Sequence, residues 1–278
     1  MNRSIFIILI IYSTLGFSLS AEEDNPKIDL EPVILDADSN DKKVLALEYK
    51  IEGLWKKINF GKDDNIPDGG VIRLEDIEKY GDYGILELGY NLNGTIAENT
   101  KENSKNFLES EVDAKFFLAS ESAFSAGGFV KYESDQSFDN TQFAYGISGA
   151  FVQQDFLSDK DTFALALNLG QVDPKDNKAR EEAYGKSDLE KYDRLDLEFF
   201  YSFNIGKEYL SEFEVSYRYF KELSPDIEIK NAKLDKFKML TYLLRLENNF
   251  FIAYSTGELP FNKADDQIFE IGYSYKFK

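Results

Sequence analysis

Runs of strand length in which large apolar side chains alternate with polar or small ones recur along this chain, and no other feature of it constrains the fold as tightly. LESEVDAKFFL (108–118) sets Glu109, Glu111, Asp113 and Lys115 against Leu108, Val112, Ala114, Phe116 and Leu118. DRLDLEFFYSFNI (193–205) opposes Arg194, Asp196 and Glu198 to Leu195, Leu197, Phe199, Tyr201 and Phe203. SEFEVSYRYF (211–220) opposes Glu212, Glu214 and Arg218 to Phe213, Val215, Tyr217 and Tyr219. A period of two sends successive side chains to opposite faces of a strand, so each run predicts one greasy and one wet face. Similar runs cover 83–93, 123–133, 142–152, 162–170, 238–247, 249–257 and the final FEIGYSYKFK, giving ten strands from Tyr83 onward.

The connections between these runs alternate in length. Short ones fall near 120–122, 154–160, 206–208 and 248–249, and long polar ones near 95–105, 134–140, 173–190, 222–235 and 258–266. Short turns at one end and long loops at the other are the pattern of an up-and-down transmembrane β-barrel, whereas a soluble sandwich has no reason to sort its loops. Within lipid no water satisfies the backbone, so a spanning sheet must close on itself, with apolar residues outward and polar or small ones inward. The fold class expected is all-β, an antiparallel barrel of about twelve strands, with ten as the alternative.

The choice between ten and twelve turns on 43–82. VLALEYKIEGLW (44–55) alternates as a strand does, while Leu47, Ile51, Leu54 and Ile58 also fit a helical stripe. Read as an ascending strand, it makes GKDDNIPDGG an outer loop and VIRLEDIEKY a descending strand, which completes a first hairpin and an even number. Before it, residues 22–42 are acidic, contain two prolines, and read as a flexible periplasmic tail. Residues 1–21 join Arg3 to an apolar run from Ile5 to Tyr12 and then to small residues at Ser18, Ser20 and Ala21, the layout of a signal peptide. The barrel is thus assigned to 43–278.

Composition removes several functions. A formal charge of -19 leaves no basic face for nucleic acid. There is no cysteine and no histidine, so zinc has no ordinary ligands and no disulfide forms. GISGA around Ser148 lacks the spacing of a nucleophile elbow. Acidic groups such as Asp173, Asp176 and Asn177, or Asp63, Asp64 and Asn65, read as solvated turns, and no metal or cofactor is expected.

The last strand carries the most specific signal. Phe269, Ile271, Tyr273, Tyr275 and Phe277 alternate to the end of the chain, followed by a single Lys278. This resembles the C-terminal assembly signal of bacterial outer-membrane β-barrel proteins. The resemblance implies the outer membrane of a Gram-negative bacterium, lipid as surroundings, and the barrel-assembly machinery as a partner reached through this strand. Enzymes of that class, among them phospholipase, lipid A deacylase and omptin-type barrels, depend on histidine, so a hydrolase of those kinds is not expected here. Glu109, Glu111 and Asp113 would be the carboxylates left for a catalyst, and side chains two apart on a strand more simply form a solvated stripe.

What remains is the interior. The inward faces would carry the acids Glu87, Glu109, Glu111, Asp113, Glu133, Asp196, Glu198, Glu212, Glu214 and Glu270, and the bases Lys115, Lys131, Arg194, Arg218, Arg245 and Lys276. Acids predominate. The expected function is a narrow porin-like channel for small solutes with a weak cation preference; the alternative is a non-conducting structural or surface-interaction barrel acting through loops 173–190 and 222–235. A soluble lipid carrier would need the opposite orientation, its apolar faces turned inward around a ligand.

Overall fold

The computed structural model describes residues 26–37, 43–60, 84–97, 105, 107–118, 123–158, 160–207, 209–261 and 266–277. The predicted signal peptide and the stretches 61–70 and 71–80 therefore lie outside the described residues. The strands are β1 (Lys27–Ala37), β2 (Val44–Phe60), β3 (Gly84–Ala97), β4 (Leu108–Leu118), β5 (Ala123–Ser134), β6 (Thr141–Gln154), β7 (Asp161–Asp176), β8 (Tyr192–Lys207), β9 (Leu210–Leu223), β10 (Lys236–Leu246), β11 (Phe250–Glu258) and β12 (Asp266–Tyr273). A short β13 (Tyr275–Phe277) continues β12 beyond Ser274, and helices α1 (Lys178–Tyr184) and α2 (Ile227–Asn231) sit in two of the long connections.

Every strand pairs antiparallel with its sequence neighbours, and β12 returns to β1 with Val33 opposite Gly272 and Leu35 opposite Glu270. β13 prolongs the seam, placing Ile28 opposite Phe277. The sheet is closed. Closure removes the free edges that would otherwise leave amides and carbonyls without partners.

Two expectations are corrected by the seam. Residues 27–37 are not a tail but the first strand, nine of whose residues are paired with β2 from Lys27 opposite Glu52 to Leu35 opposite Val44. Their alternation is hidden in the sequence because Asp29 and Glu31 occupy inward positions below Val33 and Leu35, while Pro32 takes an outward one between Leu30 and Ile34. The second correction follows from the first. With β1 ascending, β2 descends, and the 61–83 connection joins Phe60 to its partner Gly84 at the short-turn end. The expected twelve strands stand, and of the two beyond the ten, β2 contains the expected 44–55 run while β1 was not foreseen as a strand.

The registers carry one parity around the whole cylinder, and burial tells which parity faces in. Leu45, Ile147 and Val130 are 69%, 64% and 55% exposed, whereas Lys131, Glu133 and Glu270 are at most 1% exposed. Apolar side chains face out and ions face in, which overturns the soluble-carrier reading. Outward aromatics gather at two levels. Near the short turns Phe124 meets Phe151 at 4.8 Å, Phe156 meets Phe163 at 4.7 Å and Tyr273 meets Tyr275 at 4.6 Å; near the long loops Tyr132 meets Phe143 at 5.2 Å. Such paired girdles bracket the lipid-facing band of a transmembrane barrel.

The interior is not uniformly polar, and here the structure departs from a simple apolar-out rule. Val33, Leu35, Ala46, Phe107, Phe220, Met239, Phe251, Ala253, Leu259 and Ile268 form a buried cluster inside the barrel. Phe107, from the connection before β4, packs on Phe220 at 6.2 Å and on Phe261 at 6.0 Å. Gly272 is needed opposite Phe251, because a Cβ there would meet that ring and Val33 Cγ1. Toward the short turns the inward positions of β5 to β7 are small instead, among them Gly127, Gly146, Ser148, Ala150, Asn168 and Gly170.

Candidate functional site: the barrel interior

The ions cross the barrel. Arg194 on β8 reaches Glu133 on β5 with Nη1 to Oε2 at 2.8 Å and Nη2 to Oε1 at 2.6 Å, and turns its Nε to Asp196 Oδ1 at 2.6 Å. Gln142 donates from Nε2 to Glu133 Oε2 at 2.5 Å. Arg218 on β9 donates to Glu109 on β4 at 2.9 Å and to Glu198 at 3.0 Å. Lys131 lies 3.4 Å from Glu109 and 3.2 Å from Glu111. These residues come from strands far apart in sequence, and period-two alternation is what aims them all at one axis.

Below this layer, Arg245 pairs with Glu214, with Glu31 at 3.4 Å and with Glu212 at 3.9 Å. Lys115 holds Asp113 at 2.9 Å and stands 3.9 Å from Glu111. Glu87 lies 3.7 Å from Lys57. Lys276 is opposite Asp29 at the short-turn rim, where it is exposed. Each of the sixteen ionic residues named from the sequence for the interior therefore sits at an inward register position. Glu270 is reached from an unforeseen direction: Lys105, in the β3–β4 connection, pairs with it and donates to Glu48 at 2.9 Å. Burial alone would lower the Lys105 pKa, but the Glu270 and Glu48 carboxylates outweigh that and hold it above the usual lysine value.

Aromatic faces line the same layer. The Arg194 and Arg218 guanidinium carbons lie 5.1 and 5.2 Å from the Phe220 ring centre, so one ring neighbours two cations. At the long-loop mouth Arg180 of α1 lies 3.9 Å from the Tyr192 ring centre and donates to Glu222 at 2.7 Å. α1 is capped by Asn177, whose side chain accepts from the Arg180 amide at 3.1 Å, and ends on Gly185 at φ 65. Tyr184 then donates to Asp226 at 2.9 Å, tying α1 to the start of α2.

As chemistry, this is a lattice of fixed charges. Glu109, Glu111 and Asp113 are each engaged by a cation, which leaves none of them poised as a lone acid or base. Among the acidic turn groups, Asp173 pairs with Lys175 at 2.9 Å and Lys191 at 3.3 Å, and Asp63, Asp64 and Asn65 lie outside the described residues. Sequence reasoning missed Glu31 and Glu48 by misreading the first two strands. It had no signal at all for Lys105, Phe107 or Arg180, which enter from connections. At the C-terminus, Phe269, Ile271, Tyr275 and Phe277 are exposed on the outer wall and Tyr273 is half-buried there.

A closed antiparallel barrel with an apolar outer band, aromatic girdles and an ionic interior is the architecture of the bacterial outer-membrane β-barrels. That class rests on the chain's own closure and orientation. No protein-family model matches the chain, and no curated sequence does. Among solved structures it is similar to a loop L8 deletion mutant of OmpT, an outer membrane protein of Vibrio cholerae, at 8% identity and TM-score 0.45, covering 91% of this chain and 98% of that one. It is also similar to the KdgM porin (10% identity, TM-score 0.39, 90% and 99% covered) and to the outer membrane channel DcaP of Acinetobacter baumannii (11%, 0.41, 90% and 96%).

Proposed function

We propose that this chain works in the outer membrane of a Gram-negative bacterium as a narrow channel for small solutes with a weak cation preference. One observation carries the reading: the interior bases are shared. Arg245 serves Glu31, Glu212 and Glu214, Arg218 serves Glu109 and Glu198, and Lys105 serves Glu48 and Glu270. Each such group keeps residual negative charge, which in a low-dielectric wall attracts cations along the axis. The small side chains of β5 to β7 give the short-turn half its width, and the Phe107–Phe220 layer narrows the other half. The exposed aromatics of β12 and β13 are the surface for lipid and for the assembly machinery.

A second reading is favoured by that same apolar layer. A barrel filled by side chains at one level can be a structural or surface-interaction protein that conducts nothing. Planar-bilayer recording separates the two. Discrete conductance steps with a reversal potential on the cation side support the channel; a folded protein with no steps, or with anion preference, removes it. Trimming 173–190 and 222–235 leaves a channel conducting and abolishes a surface binder.

A further inference from the structure

On the outer wall at the long-loop rim, Lys221 of β9 stands directly opposite Lys236 of β10, and Lys238 stands opposite Tyr219. Phe220 between them is 1% exposed inside the barrel, so alternation turns the lysines outward, and all three are exposed. Like charges directly opposite each other oppose strand pairing. Carboxylates are abundant in a chain of net charge -19, yet none of these lysines is in an ion pair among the described residues. Glu258, opposite Lys238, and Asp193, opposite Leu223, are the acids nearest in register. Elsewhere on the same rim the opposite holds: Lys175 and Lys191 share Asp173 at 2.9 and 3.3 Å.

Position supplies the partner. Below the Lys221–Lys236 pair the outward side chains are Tyr219, level with Lys238, and then Tyr217, stacked on it at 6.4 Å, with Leu240 and Tyr242 beside them. That is the upper edge of the lipid-facing band, and the next level outward is where headgroup phosphates lie. We propose that Lys221, Lys236 and Lys238 form a docking surface for the phosphate of an anionic lipid headgroup. The anion relieves the Lys221–Lys236 repulsion that no ion pair among the described residues answers. This rests on the transmembrane reading given above.

The test uses the full chain folded into phosphatidylcholine vesicles and spin-labelled lipids, reading the fraction of label immobilised at the protein. The wild type is expected to prefer spin-labelled phosphatidylglycerol over spin-labelled phosphatidylcholine by on the order of fivefold at low salt. The Lys221→Gln/Lys236→Gln/Lys238→Gln variant loses that preference, the corresponding triple arginine variant keeps it, and so does Lys175→Gln/Lys191→Gln. Equal immobilisation of both lipids by the wild type, or an undiminished preference in the triple glutamine variant, overturns the docking surface. Heat-modifiable gel mobility is read on every sample. A wild type that never inserts overturns the transmembrane reading instead, so the two failures are distinguishable.

Discussion

Arg194 clasps Glu133 across the barrel through two hydrogen bonds of 2.8 and 2.6 Å, and both side chains are almost completely buried. β8 and β5 are not neighbours in the sheet, so this clasp bridges parts of the wall that two other strands separate. Removing one partner strands the other charge. Arg194→Leu is expected to destabilise the folded barrel by about 3 kcal/mol, and Glu133→Leu/Arg194→Leu to recover only the part owed to Glu133, because Asp196 still loses its Arg194 partner. Urea titration in detergent, read by gel mobility, gives both numbers. A double variant no more stable than the single one would sink the pairing as the cause.

Selectivity should depend strongly on salt. Fixed interior charges act over a Debye length of about 10 Å at 0.1 M salt and about 3 Å at 1 M. The cation preference is expected to fade toward neutrality over that range. Glu31→Gln/Glu212→Gln, which leaves Arg245 with Glu214 alone, should move the reversal potential toward the anion side at 0.1 M. A preference indifferent to salt would point to size, not charge, as the filter.

Gly272 sits in the seam beneath the Phe251 ring. Gly272→Ala is expected to cost about 1–3 kcal/mol by overpacking, and Gly272→Ala/Phe251→Leu to restore part of it. The same urea titration decides. An alanine variant with unchanged midpoint would show that the ring moves aside freely.

Tyr184, outside the strands, has its pKa raised to about 12 from the ordinary 10.0, by burial first and by its hydrogen bond to Asp226 second. The sign follows: the stabilising contribution is fully present below pH 10 and is lost as pH rises through about 12. Absorbance at the tyrosinate band should show a late-titrating group in the wild type that is missing in Tyr184→Phe and shifted to lower pH in Asp226→Asn. An unchanged titration in Asp226→Asn would rule out the α1–α2 link as a contributor.

Legibility followed periodicity. β4, β8 and β9 could be read directly, because most of their charges fall on one parity and most of their aromatics on the other, and the same rule placed Arg194, Glu133 and Arg218 on the inner face. β1 could not, since Asp29 and Glu31 read as tail chemistry until a partner strand supplies an inside for them. Without β1, the direction of β2 came out reversed even though its alternation was recognised. The apolar layer was hidden for another reason: Phe220 occupies an inward position on a strand whose other inward residues are polar, Phe251 one on a strand whose other inward residues are small, and Phe107 arrives from a connection. Alternation reports which residues share a face. It does not report what a loop places against that face.

The seam joins the earliest described strand of the chain to the last. Val33 cannot meet Gly272 until ribosomal synthesis has delivered both, and the separation between them makes that contact among the most distant in sequence that the fold contains. The cylinder therefore cannot seal progressively from one terminus. The β1–β12 junction can form only once the end of the chain has been made, which puts sealing of the cylinder after synthesis of every strand between them.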